Sequence, residues 1–127
     1  MEKLFFDDIR NPPDTSWDVA RNVEQAKEML VRTAYDVISL DHDIGFALVC
    51  PDCGTDSCPH FQTGTDLARW LADGIDEGYL TPAPKLTIIH SFNPEGADRM
   101  REIIGSRSDV RIAAYGSLGY LIMTRGI

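Results

Sequence analysis

Val37-Ile38-Ser39-Leu40-Asp41-His42-Asp43 is the stretch that decides the fold. Val37 to Leu40 is apolar on both faces, as a strand flanked by other strands must be. It ends abruptly on two carboxylates and an imidazole. Two other segments end in the same way. Leu4-Phe5-Phe6 runs into Asp7-Asp8, and Leu86-Thr87-Ile88-Ile89 runs into His90-Ser91. Laid side by side in parallel, the three strands would bring all of these groups to one edge of one sheet. Open α/β sheets place their ligand sites at that edge.

Outward from these strands the pattern alternates. Residues 3–6 form the first strand. Asn11-Pro12-Pro13-Asp14 follows, and paired prolines forbid a regular helix there. Trp17 to Ala20 is a short strand. Asn22 is placed to cap a helix over about 23–33, with Gln25 at the capping-box position and Val23, Ala26, Met29 and Leu30 at helical spacing. Residues 44–62 have little periodicity. A helix resumes at Thr63 or Thr65, turns Leu67, Ala68, Trp70 and Leu71 inward, and stops near Gly74. Gly78 to Pro84 is a loop. Leu86 to Ile89 is a buried strand, and Pro94 opens a helix with Ala97, Met100, Ile103 and Ile104 inward, ending at Gly105. Val110 to Ala114 is the last strand, and residues 115–127 add a short strand or helix on the core. Such alternation implies a parallel sheet with right-handed crossovers. The first connection is the exception, either an irregular loop or something closer to a hairpin.

The 127 residues fit a single domain, and 43% apolar composition is enough for a packed core. No apolar run reaches the roughly 20 residues that span a bilayer. Met1-Glu2-Lys3 leads straight into a strand, which points to a cytoplasmic protein without a signal peptide. A net charge of −8 argues against a broad nucleic-acid surface and against a membrane surface. A small phosphorylated ligand or an RNA end stays compatible, because a bound cation reverses the local sign at an acidic cluster. Trp17, Phe46 and the apolar tail are the candidates to line an interface between copies.

Three motifs, in this order, resemble a receiver-derived family of phages and bacteria, the cyclic-phosphate processing receiver domains. They are Asp-Asp-x-Arg-x-Pro (Asp7, Asp8, Arg10, Pro12), Leu-Asp-His-Asp (Leu40 to Asp43) and His-Ser-x-Asn-Pro-x-Gly (His90, Ser91, Asn93, Pro94, Gly96). The likeness to receiver domains of two-component signalling spans roughly residues 3–114, with Asp41 at the phosphoacceptor position. The departures are the missing first receiver helix and the absence of a lysine after the fifth strand, where Ala114-Tyr115-Gly116 stands. The resemblance implies a receiver-like, flavodoxin-like α/β fold with a mostly parallel five-stranded sheet. It implies processing of a cyclic phosphate, at an RNA end or in a nucleotide.

In receiver order the first strand lies beside the third and the third beside the fourth, about 4.8 Å apart. Asp7, Asp8, Asp41, Asp43 and His90 would then surround one small ligand. Carboxylates that close repel unless a cation or proton intervenes, and Mg²⁺ or Mn²⁺ suits an all-oxygen set. Hydrolysis of a phosphodiester needs an activated water and a protonated leaving oxygen. His42 and His90 are the expected base and acid, with Asp41 beside them. Arg10 would neutralise a phosphate oxygen, and Ser91 and Asn93 would donate hydrogen bonds to it. Each group also has a structural reading: a turn-capping Asp pair, a surface or core histidine, a salt-bridged arginine, a helix cap at Asn93.

The segment 46–62 holds a separate signal. Cys50, Cys53, Cys58 and His60 fall within eleven positions. They make up a complete tetrahedral Cys₃His zinc set. Four ligands close the shell, so the expected role is structural. This zinc knuckle follows the Asp-His-Asp strand end and would hang over the pocket as a rigid flap. The whole reading is a metal-dependent phosphoesterase, a hydrolase of a cyclic phosphate with structural Zn²⁺ and Mg²⁺ or Mn²⁺ at the acidic cluster. The alternative is a non-catalytic binding or signalling module, which either sequesters a cyclic nucleotide or is phosphorylated on Asp41.

Overall fold

The computed structural model describes residues 1–41, 63–91 and 93–117, with the backbone alone at Tyr115. Five strands form one parallel sheet: β1 (Lys3–Phe6), β2 (Asp18–Ala20), β3 (Val37–Leu40), β4 (Leu86–Ile89) and β5 (Asp109–Ile112). Their order is β2-β1-β3-β4-β5, and every neighbouring pair is parallel. β1, β3 and β4 are buried at all four positions. β5, at the edge, is mostly exposed. Residues 7–17 join β1 to β2 without an α-helix, and because β2 is parallel to β1 the connection is a crossover loop, not a hairpin.

Each helix starts where the sequence offers a cap. α1 (Val23–Arg32) begins at Asn22, whose Oδ1 accepts the Gln25 N–H at 2.9 Å. α2 (Gly64–Glu77) has a reciprocal capping box between Thr63 and Asp66. α3 (Pro94–Ile104) has Asn93 as cap and Pro94 in its first turn. α2 departs from the sequence reading by running past Gly74 to a left-handed Gly78 at φ 86°. Gly74 does not stop the helix because it serves packing. A Cβ there would lie 2.7 Å from Cδ1 of Leu80, so the hydrogen atom is what lets Leu80 sit on the helix. β5 also starts one residue earlier and ends two earlier than expected, and residues 115–117 form a 3₁₀ turn.

Strand alternation sorts the core into two clusters. Leu4, Phe6, Ile38, Leu40 and Ile89 pack against Val23, Ala26 and Leu30 of α1, Leu67, Ala68 and Leu71 of α2, and Ala97, Met100 and Ile104 of α3. All three helices therefore cover one face. On the other face Phe5, Trp17, Val37, Leu86 and Ile88 cluster, with no helix residue among the described ones. Trp17 is 5% exposed and lies edge-on to Phe5, which makes it a core residue of this cluster. No described helix is long and apolar enough to cross a membrane.

Candidate functional site at the strand ends

The sheet's hydrogen-bond ladder continues one residue beyond its strands. Asp7 N–H donates to the Ala20 carbonyl at 3.1 Å, Asp41 N–H to Phe6 at 3.0 Å, His90 N–H to Leu40 at 2.9 Å and Ala113 N–H to Ile89 at 2.9 Å. Asp7, Asp41 and His90 thus stand in one row across β1, β3 and β4. They lie two positions after Phe5, Ser39 and Ile88, so they point to the face that carries no described helix. The three strand endings singled out by sequence do converge.

His90 is fully buried. Its ring lies parallel to Phe5, 4.6 Å between centroids and 5° between planes. Nδ1 is 2.7 Å from Ser39 Oγ, and Nε2 is 3.0 Å from Asp7 Oδ2. A carboxylate only accepts, so Nε2 carries the proton that faces Asp7, and Nδ1 pairs with the Ser39 hydroxyl, which can donate or accept. The imidazole reaches from β4 across β3 to β1, which is possible because the β3 residue beneath it is a serine.

Asp7 is the hub. Its Oδ1 accepts the N–H groups of Ile9 at 3.0 Å and Arg10 at 2.9 Å, a turn that replaces the start of a helix. Its Oδ2 accepts Arg10 Nε at 3.0 Å beside the His90 bond. Burial pushes this carboxyl's pKa up. The hydrogen bonds from His90 and from the Ile9 and Arg10 amides, with the Arg10 charge, outweigh it and hold Asp7 at about 2, against 3.8 ordinarily. Arg10, about a quarter exposed, also donates Nη2 to Asp41 Oδ2 at 3.2 Å. One guanidinium so bridges two buried carboxylates.

Asp8 is half-buried beside them. Asp7, Asp8 and Asp41 each offer an oxygen, all within 4.8 Å of one another. Oxygens that share one hard divalent cation lie within about that limit of one another, so the donor set and its spacing fit such an ion. Ser91 and Asn93 lie on the α3 side. Ser91 Oγ accepts the Asn93 N–H at 3.1 Å, and Asn93 Oδ1 accepts the Gly96 N–H at 3.0 Å. Both oxygens serve the helix cap. His42, Asp43 and the Cys50, Cys53, Cys58 and His60 set lie outside the described residues.

Three participants escaped the sequence reading. Ser39 and Phe5 looked like ordinary strand residues, although a lone hydroxyl in an apolar run was a faint signal. Arg21 gave none. It leaves β2 and donates Nη1 to the Arg10 carbonyl at 2.6 Å and the Asp7 carbonyl at 3.3 Å, and Nη2 to Asn11 Oδ1 at 2.7 Å.

Comparison with curated proteins and with solved structures returned no match. Residues 2–106 match a protein family described as the cyclic-phosphate processing receiver domain, a span that takes in β1 through α3 and with them Asp7, Arg10, Asp41 and His90. On that match, and on a parallel sheet whose acidic residues gather at the carboxyl ends of its strands, the chain belongs to the cyclic-phosphate processing receiver domain family.

Proposed function

We propose that the protein is a metal-dependent phosphoesterase that opens a cyclic phosphate on a nucleotide or an RNA end. The observation that carries this reading is the meeting of Asp7, Asp8, Asp41 and Arg10 at one point on the strand edge. Acidic oxygens suited to a divalent cation and a guanidinium suited to a phosphate are the two halves of a phosphoryl site. The three carboxylates would hold the ion, which would supply positive charge against the phosphate. Arg10 is the phosphate contact from the protein side.

The reaction adds water across one ester bond. The water oxygen bonds to phosphorus, one ring P–O bond breaks, and the proton lost by water is balanced by one gained by the leaving oxygen. His42, next to Asp41 in sequence, is the proposed acid–base group. His90 was the expected partner in that proton traffic, but its burial and its two occupied nitrogens support a different role, holding Asp7 in place. Ser91 and Asn93 flank the phosphate position from the α3 side in this reading.

The test is incubation with 2′,3′-cyclic AMP, 3′,5′-cyclic AMP, a cyclic dinucleotide and an RNA ending in a 2′,3′-cyclic phosphate, each with Mg²⁺, Mn²⁺ or Zn²⁺, read by chromatography. Ring opening of at least one to its monoester or linear product is expected. Ligand retained unchanged would make the protein a binder. A phosphoryl group gained on Asp41 from acetyl phosphate, seen by mass, would make it a signalling module.

A further inference from the structure

We infer that Arg21 is a positioning residue for Arg10, and that through Arg10 it sets the protein's grip on the phosphate; the substrate part of this inference rests on the function proposed above. The connection from β1 to β2 has no helix to hold its shape, yet it carries Asp8 and Arg10. Arg10 is fixed from two sides. Its N–H is held by Asp7 Oδ1 at 2.9 Å, and its carbonyl is held by Arg21 Nη1 at 2.6 Å. The same Arg21 fork reaches the Asp7 carbonyl at 3.3 Å and Asn11 Oδ1 at 2.7 Å, so one side chain spans residues 7 to 11.

Arg21 is itself anchored. Its N–H donates to Gln25 Oε1 at 2.8 Å, in the first turn of α1, whose cap is Asn22. The preceding residue, Ala20, accepts the Asp7 N–H. The end of β2 and the start of α1 therefore define where the fork lies, and the fork defines where the Arg10 backbone lies. With that backbone set, the Arg10 guanidinium falls between Asp7 and Asp41. A lysine at position 21 cannot substitute, because a single ammonium lacks the planar fork that meets acceptors on three residues.

The experiment is a double-mutant cycle with an arm independent of catalysis. Arg10→Ala, Arg21→Ala, Arg21→Lys and the Arg10→Ala/Arg21→Ala pair are assayed with 2′,3′-cyclic AMP. Arg21→Ala and Arg21→Lys are each expected to raise KM by about tenfold, and the pair to lose no more than Arg10→Ala alone, since coupled residues do not add. In parallel, the Arg10 Nε–H resonance and hydrogen exchange at the Ile9 and Arg10 amides are followed by NMR. In both Arg21 variants that resonance should broaden or shift and those amides should exchange faster, with the methyl signals of Leu4, Ile38 and Leu40 unmoved. An unmoved Arg10 signal, full additivity in the cycle, or wild-type behaviour of Arg21→Lys would overturn the inference. If the wild-type protein opens no cyclic phosphate, the proposed function fails, and the NMR arm still decides whether Arg21 positions Arg10.

Discussion

Asp7 keeps its charge in a place where burial opposes it, because four hydrogen bonds favour the charged form. Its pKa of about 2 lies below the 3.8 of an exposed carboxyl, so the folded state binds the proton more weakly than the unfolded chain. That difference is worth about 2 kcal/mol of stability. The gain is complete above pH 3.8 and disappears as pH falls through about 2. Stability measured by urea unfolding should therefore decline over this acid range, and Asp7→Asn should flatten that part of the profile. An unchanged acid limb in the variant would mean that Asp7 is not the responsible group. His90→Phe isolates one of the bonds. It keeps a ring against Phe5 but removes the Nε2 donor, so a carbon-detected titration should find the Asp7 midpoint moved up toward 3.8. The substitution should also cost about 1–3 kcal/mol, the usual penalty for stripping a partner from a buried polar group. A midpoint that stays at the wild-type value would remove His90 as Asp7's support.

At the scale of elements, local chemistry announced itself where it was strong and misled where packing overruled it. The caps at Asn22 and Asn93 were legible because their side chains satisfy amide groups within three residues. Gly74 was read as a stop because glycine weakens helices. It is instead a notch for Leu80, a residue six positions later whose approach no local pattern encodes. The case is testable, since the two effects have opposite signs. Replacing a helical glycine by alanine ordinarily gains up to about 1 kcal/mol, whereas overpacking a core costs about 1–3 kcal/mol. A Cβ placed 2.7 Å from one Leu80 carbon and 2.9 Å from another makes the second effect win. Gly74→Ala should lower the urea midpoint, and in a Leu80→Ala background the same change should be neutral or stabilising. A gain in the wild-type background would show that Leu80 yields at no cost. The β1–β2 connection was half legible. Its prolines excluded a helix, but hairpin and crossover differ only in strand pairing, which the sequence of the loop does not express.

Across the whole molecule the row of Asp7, Asp41 and His90 was legible because each ends an apolar run, and parallel pairing turns such endings into neighbours. The second ring of partners was not. Ser39 matters through the strand on either side of it, and Arg21 through a loop ten or more positions earlier; both depend on sheet order and register. Between Asp41 and the Thr63 cap of α2 stand 21 residues, 42–62, outside the described residues. Their composition still carries an argument. Within them the segment 50–60 holds three cysteines, one histidine, two prolines and one glycine, and no aliphatic or aromatic hydrophobic residue with which to order itself. Metal binding would supply that order, since a Cys₃His zinc site in a small module is worth about 10–16 kcal/mol at neutral pH. We expect the purified, reduced protein to carry about one zinc per chain, the capacity of one four-ligand set. Cys50→Ala should remove most of it. Because residues 42–62 follow Asp41 directly in the sequence, stripping zinc with a strong chelator should lower both thermal stability and any turnover. Zn²⁺, and not Mg²⁺, should then restore stability, because thiolates select the softer ion. Elemental analysis that finds no zinc in the wild-type protein would leave residues 42–62 to be ordered by some other means, and would detach the cysteines from the function proposed for the strand edge.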